Sequence, residues 1–291
     1  MSATSIEDVA SLEAGLDALD AHPDRRPSLR QRMRTSVLPP VIAFFAFLAA
    51  WAVVAAAGIK PPELLPPPSA VWGTLVASFQ DGTLQSATWA SLSRAGVGFG
   101  VSVVLGTLLG LVLSQWRWLR TAIGPLVSGL QSLPSATWLP AAVLWFGVGD
   151  AAVYTVVLCG AIPSIALGLV AGIDRVPPLY VKVGRVLGAG RVASLRYVVL
   201  PAALPGYISG LRLGWAFAWR SLMAAELIIA VAGSTSSLGQ LLDAGRRAGD
   251  MSTILAVILV ILAIGITIEV GVFSPIERRL LRARGLAGAS S

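Results

Sequence analysis

The sequence predicts an all-α polytopic membrane protein with about six transmembrane helices. Three observations carry this. Of the 291 residues, 55% are hydrophobic and only 13% are charged, about half the charged share of a soluble domain. Apolar runs of roughly 20 residues recur, each enough to cross a bilayer core of about 30 Å. The basic residues gather in short stretches between those runs, as the positive-inside rule requires. Lipid admits only structures whose backbone hydrogen bonds close internally. The runs are too long for a β-barrel, whose strands alternate in segments of about 10 residues. The net charge of +7 is therefore a topology signal. The expected partner is the lipid bilayer, and no nucleic acid is expected.

Residues 1–35 read as a cytoplasmic N-terminal tail. Ile6, Val9, Leu12, Leu16 and Leu19 recur at helical spacing, and Thr4 with Glu7 has the form of a capping box. A docking helix and a surface or disordered tail are both open readings. Arg25, Arg26, Arg30, Arg32 and Arg34 then flank the first span, too far from the start for a cleaved signal peptide.

Residues 36–277 read as the transmembrane domain. Its first span is Leu38–Gly58. The proline-rich Lys60–Pro68 cannot continue a helix. Ser69–Phe79 suits a short helix along the outer interface, with Trp72 and Phe79 as anchors. The second span, Ala87–Ser114, carries Arg94 near its outer end, placed to snorkel or to pair. Its glycines Gly96, Gly98, Gly100, Gly106 and Gly110 suit close helix contact. The loop QWRWLR, with Arg117 and Arg120, returns inside. The third segment, Ile123–Phe146, is interrupted by Pro125, Pro134 and Pro140. Broken backbone at membrane depth must be buried in protein or line a cavity, which makes this segment a candidate pathway helix.

The fourth span is Ala151–Gly172. A cytoplasmic loop over 174–205 follows, then a fifth span from about Gly206 to Val231. Gly233–Asp250 reads as an outer loop in which Asp243 and Asp250 offset Arg246 and Arg247. The sixth span is Met251–Phe273, and 278–291 is a basic cytoplasmic tail. Both termini are expected in the cytoplasm.

Little in the chain suggests catalysis. Cys159 and His22 are the sole residues of their types, so no disulfide framework, no Cys/His metal set and no catalytic set is expected. No Gly-Lys-Ser/Thr phosphate loop is present, so the chain does not bind ATP by that means. The chemistry lies in polar residues at membrane depth. Arg220 and Glu226 each cost a few kcal/mol there. Six residues apart on one helix, they point about 120° away from each other. Arg220 is either a bidentate ligand for an anion or one half of an ion pair with a neighbouring helix. Glu226 is structural, gating or substrate-facing. Gln131, Ser132, Ser135 and Thr137 sit among the prolines of the third segment. They either line a polar route or satisfy freed backbone groups. Trp219 joins Trp138, Trp145 and Trp215 as packing residue or pathway wall.

The loop from Lys182 to Pro205, KVGRVLGAGRVASLRYVVLPAALP, carries the sharpest pattern. Gly188 precedes Leu200-Pro201 by twelve residues, with Val198 at the aliphatic place. This resembles the cytoplasmic EAA loop of the integral-membrane subunits of ABC importers. The run GRVLGAGRVASLRYVVLPAALPGYISGLRLGWAFAW and the following SLMAAEL resemble the nitrate/sulfonate/taurine permease branch. The likeness extends more weakly over residues 38–275. Lys182 stands where the family usually has Glu, and Val183-Gly184 replaces Ala-Ala.

The resemblance implies a type I ABC importer permease fold with a two-helix coupling element. Residues 181–187 suit one helix and 191–199 a second, with the turn at Gly188 and Gly190 and a stop at Pro201. Lys182, Gly184, Arg185, Gly188, Arg191, Leu200 and Pro201 are its implied ATPase-coupling residues. Arg220, Glu226, Gln131, Ser135 and Trp219 are candidates for the pathway. The implied partners are a second copy of the chain, two ATPase subunits and an extracytoplasmic substrate-binding protein. ATP and Mg would sit on the ATPase and no cofactor on this chain. The implied cargo is a small anion: an aliphatic sulfonate, taurine or nitrate. Two alternatives stand: the same role for a heterocyclic vitamin or pyrimidine precursor, and a secondary transporter driven by an ion gradient.

Overall fold

The computed structural model describes residues 38–229 and 236–283. The helix expected over 4–19, the basic run before the first span, the junction at 230–235 and Arg284 lie outside them. Among the described residues every regular element is helical. The chain divides into two units, 1–59 and 60–291. The first holds α1, Leu38–Ala56, a charge-free run in which Phe44 and Phe45 meet edge to face at 5.6 Å.

The second unit contains four helices long and apolar enough to cross a membrane. It opens with α2, Pro68–Gln80. Pro68 sits in the first helical turn, where its missing N–H costs nothing. Asp81 accepts a hydrogen bond from the Thr83 N–H at 2.8 Å, which holds its carboxyl below the usual range. Then comes α3, Thr83–Gln115, 33 residues long. At about 50 Å it outreaches the hydrocarbon core. A single residue, Trp116, separates it from α4, Arg117–Ser132. The expected QWRWLR loop is thus mostly the first turn of a helix, since Arg, Trp and Leu do nothing to prevent one.

The third segment breaks once rather than at three prolines. Pro125 is accommodated inside α4, and Pro140 sits in the first turn of α5, Leu139–Phe146. The break is at Leu133-Pro134, where both residues are extended, and a 3-10 turn over Ser135–Trp138 joins the pieces. Gly147, at φ 75°, ends α5.

The core forms around α6, Asp150–Asp174, which packs between α3 and α9, Leu200–Ile228. Gly98, Gly106 and Gly110 of α3 face α6, while Gly96 and Gly100 meet open space. The tighter seam is between α6 and α9. Gly206 and Gly172 oppose each other, as do Gly210 and Gly168. A methyl group on Gly206 would sit 2.5 Å from the Gly172 Cα, and one on Gly210 2.7 Å from the Gly168 Cα. The backbones touch without side chains between them, as small residues at every fourth position allow.

Between α6 and α9 lie α7, Pro178–Val186, and the single turn α8, Arg191–Ser194. Pro201 does not stop the second helix of this pair. A π turn over Leu195–Val199, where the Leu200 N–H reaches back to Leu195 O, joins α8 to α9. The wider turn admits Pro201 and the helix runs on. The fifth span therefore starts well before Gly206.

After α9 the expected outer loop contains a helix, α10, Leu238–Ala248. Ser237 and Gln240 form a reciprocal capping box, and Gly249, at φ 68°, closes its end. Asp243 holds both Arg246, at 2.6 Å, and Arg247, at 2.9 Å. Asp250 instead caps α11, Met251–Ile268, through the Thr253 hydroxyl and N–H. These bonds keep its carboxyl below the usual range. A second π turn, Glu269–Phe273, leads into α12, Ser274–Ala283, so a helix extends past the expected boundary at 277.

Candidate functional site

The predicted residues fall into three places: a hairpin at one end of the bundle, a polar seam at the break in the third segment, and an ion cluster at the other end.

The hairpin is α7, a turn and α8. Gly188 adopts φ 82°, a conformation that glycine alone enters freely. Its N–H bonds Arg185 O at 2.9 Å, and the Ala189 N–H bonds Gly184 O at 2.9 Å. This is the Schellman closure of α7. Gly184 is buried, and a methyl group there would stand 3.2 Å from Val198, so a bare backbone lets α7 lie against the π turn. Lys182, Arg185 and Arg191 are exposed, and Arg191 donates to Gln115 at the end of α3 at 3.2 Å. Leu200 and Pro201 open α9. The hairpin also shows an apolar tip. Val186 is 87% exposed, Leu187 81% and Val192 78%.

The polar seam joins the broken segment to α6 and α9. Gln131 donates to Ser164 at 3.1 Å. Ser221 donates to Ser135 at 2.6 Å, with Phe217 O also at 2.6 Å. Gly160 leaves the room for this pair, since a methyl group there would collide with the Ser221 hydroxyl. Trp219 is buried and stacks on Trp215 at 6.2 Å, and Trp215 meets Phe99 edge to face at 5.3 Å. Arg220 points away from this packing. It is exposed, its Nε donates to Ala216 O at 3.0 Å, and its guanidinium lies 4.7 Å from the Phe217 ring centre. No carboxylate pairs with it among the described residues.

The ion cluster holds Glu226, which is 1% exposed. It accepts from the Ser91 hydroxyl at 2.6 Å, from Arg94 Nη1 at 3.3 Å and from the Gly239 N–H at 3.3 Å. Arg94 Nε also donates to Asp150 at 2.9 Å, and the Leu238 N–H donates to Ser91 at 3.0 Å. One buried arginine thus ties α3, α6, α9 and, through Glu226 and Ser91, the start of α10. Gly239 fits because a side chain there would strike Glu226 and the Leu227 N. Of the two readings for Arg94, the structure shows pairing. Ser91, Asp150 and Gly239 carried no signal in the sequence, since their partners lie far along the chain.

Residues 102–280 match the family described as the binding-protein-dependent transport system inner membrane component. The chain is 30% identical over 261 residues to the taurine transport system permease protein TauC of Escherichia coli, across 88% of this chain and 93% of that protein. It is 27% identical over 278 residues to the putative aliphatic sulfonates transport permease protein SsuC of Bacillus subtilis, across 94% and 97%. It is 28% identical over 231 residues to the nitrate import permease protein NrtB of Leptolyngbya laminosa, across 77% and 81%. Among solved structures it superposes on a chain of the inward-facing MetNI methionine ABC transporter with a TM-score of 0.58 at 20% identity, covering 68% of this chain and 96% of that one. The shared fold, the family match over more than half of the sequence and the likeness to TauC over nearly all of it agree: this chain belongs to the inner-membrane components of binding-protein-dependent transport systems, the multi-pass permeases of ABC importers.

Proposed function

We propose that this chain forms the translocation path of an ATP-driven importer for a small anion of the aliphatic sulfonate, taurine or nitrate class. Two copies would face each other across the path. Two ATPase subunits carrying ATP and Mg would dock on the hairpins in the cytoplasm, where both termini lie, and a binding protein would deliver cargo on the opposite side. The observation that carries this is the hairpin itself. Val186, Leu187 and Val192 stand exposed beside Lys182, Arg185 and Arg191, an apolar tip with a basic rim of the kind that marks a protein interface. Gly184, Gly188, Leu200 and Pro201 give the tip its shape and join it to α9.

Coupling follows from continuity. A push on the hairpin enters α9 through the π turn, and the glycine seam makes α6 move with α9. The two helices then bias one arrangement of the polar seam over another, which is the two-state element such coupling needs. Arg220 supplies the anion recognition in this scheme. Its guanidinium has no acidic partner among the described residues, lies at membrane depth and suits sulfonate or nitrate in a bidentate grip. Gln131 and Ser135 tie the broken segment to α6 and α9 and Trp219 packs in the core, so they would support the route from the side that Arg220 points away from, and Glu226 fixes the far end of α9. The names of the relatives TauC, SsuC and NrtB support the cargo class.

The test is ATP-dependent uptake of labelled taurine, butanesulfonate and nitrate into liposomes that hold the chain with its copurified ATPase and binding protein. The expected result is uptake of one of them, lowered at least tenfold in Arg220→Ala by loss of a charge-assisted bidentate contact. Full transport without the ATPase would sink the coupling role. Unchanged affinity in Arg220→Ala would remove Arg220 from the path.

A further inference from the structure

Beneath the hairpin, between it and the ends of α3 and α6, lies a cavity of about 470 Å³. Its lining includes the apolar Ile173, Leu195 and Val199 and the polar Arg185, Arg191 and Ser194. No carboxylate lines it. The nearby Asp174 is held by Arg120 at 2.8 Å and balances neither cavity arginine. Arg191 uses one nitrogen on Gln115, and Arg185 forms no ion pair among the described residues.

Ser194 is the second, independent sign. It is 6% exposed, and among the described residues its hydroxyl is the only buried one without a hydrogen-bond partner. Native proteins satisfy nearly all such groups, and an orphan next to a cavity points to a missing acceptor or donor. Two guanidiniums and one hydroxyl lining one cavity together with hydrocarbon side chains match a ligand that carries an anionic group and an apolar part.

We propose that this cavity is a second anion site, which takes a small organic oxyanion with a short apolar body, such as an alkyl sulfonate or alkyl phosphate. Arg185, Arg191 and the Ser194 hydroxyl hold the oxyanion head, while Ile173, Leu195 and Val199 receive the body. A bound ligand pins the hairpin to α3 and α6. If the hairpin couples to an ATPase, occupancy by accumulated cargo brakes import; that consequence rests on the proposed transport role, whereas the site itself does not.

The test is titration calorimetry on the full-length chain in nanodiscs of zwitterionic lipid, in an Arg220→Ala background that removes the proposed path contact. The probe is 1-butanesulfonate, with inorganic phosphate as the head alone and 1-butanol as the body alone. The expected result is saturable binding of butanesulfonate, at least tenfold weaker binding of either half, and losses of about tenfold in Arg191→Gln and about threefold in Ser194→Ala. Arg278→Gln, on α12, leaves the affinity unchanged. Ser194→Ala removes one oxygen and keeps the Arg191–Gln115 contact, so it reports on the site even if Arg191→Gln disturbs the hairpin. Absence of saturable binding, or binding indifferent to both variants, overturns the proposal. So does complete displacement by phosphatidylglycerol added to the disc, which would assign the arginines to a lipid headgroup. Because no ATPase is present, failure here leaves the coupling role standing, and failure of coupling leaves the site standing.

Discussion

The two ends of the helix bundle solve the problem of charge in opposite ways. At the α10 end, Arg94 and Glu226 are sealed from solvent, and every contact is shared among four helices. At the hairpin end, Arg212 bridges Glu269 and Glu277 while all three side chains stay a third or more exposed. Arg120 and Asp174 are likewise about half exposed. Buried charges are expensive to separate, because each partner left behind lacks both its counter-ion and water. Exposed pairs are exchanged for water at little cost. One end is therefore locked and the other adaptable. That asymmetry suits the proposed coupling through the hairpin.

The largest expected effect comes from opening the lock. Arg94→Met leaves Glu226 buried and uncompensated, and should cost about 3–5 kcal/mol. Thermal unfolding followed through the reaction of Cys159, the one cysteine, with a thiol dye reads this directly. The double variant Arg94→Met/Glu226→Gln should recover part of the loss, since a neutral amide still meets Ser91 and Gly239. No recovery would mean that the arginine acts by packing, and the contrast between the ends would fail.

An intermediate effect is expected at the seam between the ends. Gly168→Val places two methyl groups against the Gly210 backbone. It should destabilise by about 1–3 kcal/mol, the range for overpacked cores. The matched change Gly96→Val, where a side chain meets open space, should stay well below that. Equal losses at the two positions would show that helix propensity, and not the close approach, sets the cost.

The smallest effect belongs to the adaptable end. Arg212→Gln should change stability by about 0.5–1 kcal/mol, and less at high salt, because its partners are half solvated. A loss as large as that of Arg94→Met would erase the distinction between locked and adaptable ends.

Much of the fold was legible because apolar length is a strong signal. The spans at Ala87–Ser114 and Ala151–Gly172 each fall inside a helix that extends one to four residues further at both ends, and the span at Met251–Phe273 starts with its helix and is continued past its end through the π turn into α12. Polar turns at helix ends have no hydropathy signature, so boundaries moved. The helix α10 is short and amphipathic and so has no hydropathy signal, and its one local mark is the capping box of Ser237 and Gln240. Pro201 has the sequence signature of a stop because an α-helix cannot pass a proline without losing a bond, and the π turn that admits it has no local signature. The seam glycines Gly168, Gly172, Gly206 and Gly210 recur at fourfold spacing just as Gly96, Gly100, Gly106 and Gly110 do on α3, and spacing alone does not tell which of them meet a neighbouring backbone. The Arg94–Glu226 pair spans 132 positions, and no local pattern encodes a contact at that separation.

The π turn over Glu269–Phe273 sets a rotational phase. Glu269 and Glu277 are eight positions apart, and on an unbroken α-helix they would diverge by about 80° around the axis. The turn absorbs one extra residue, which takes back about 100° and leaves the two carboxylates within about 20° of a common azimuth. Arg212 can therefore clasp both from a single position on α9. Rewinding this turn into regular α-helix with the sequence unchanged would swing Glu277 and the arginines of α12 by about 100° toward a different quadrant of the bundle, whereas a one-residue deletion in the turn would leave the two glutamates seven positions apart and keep the clasp.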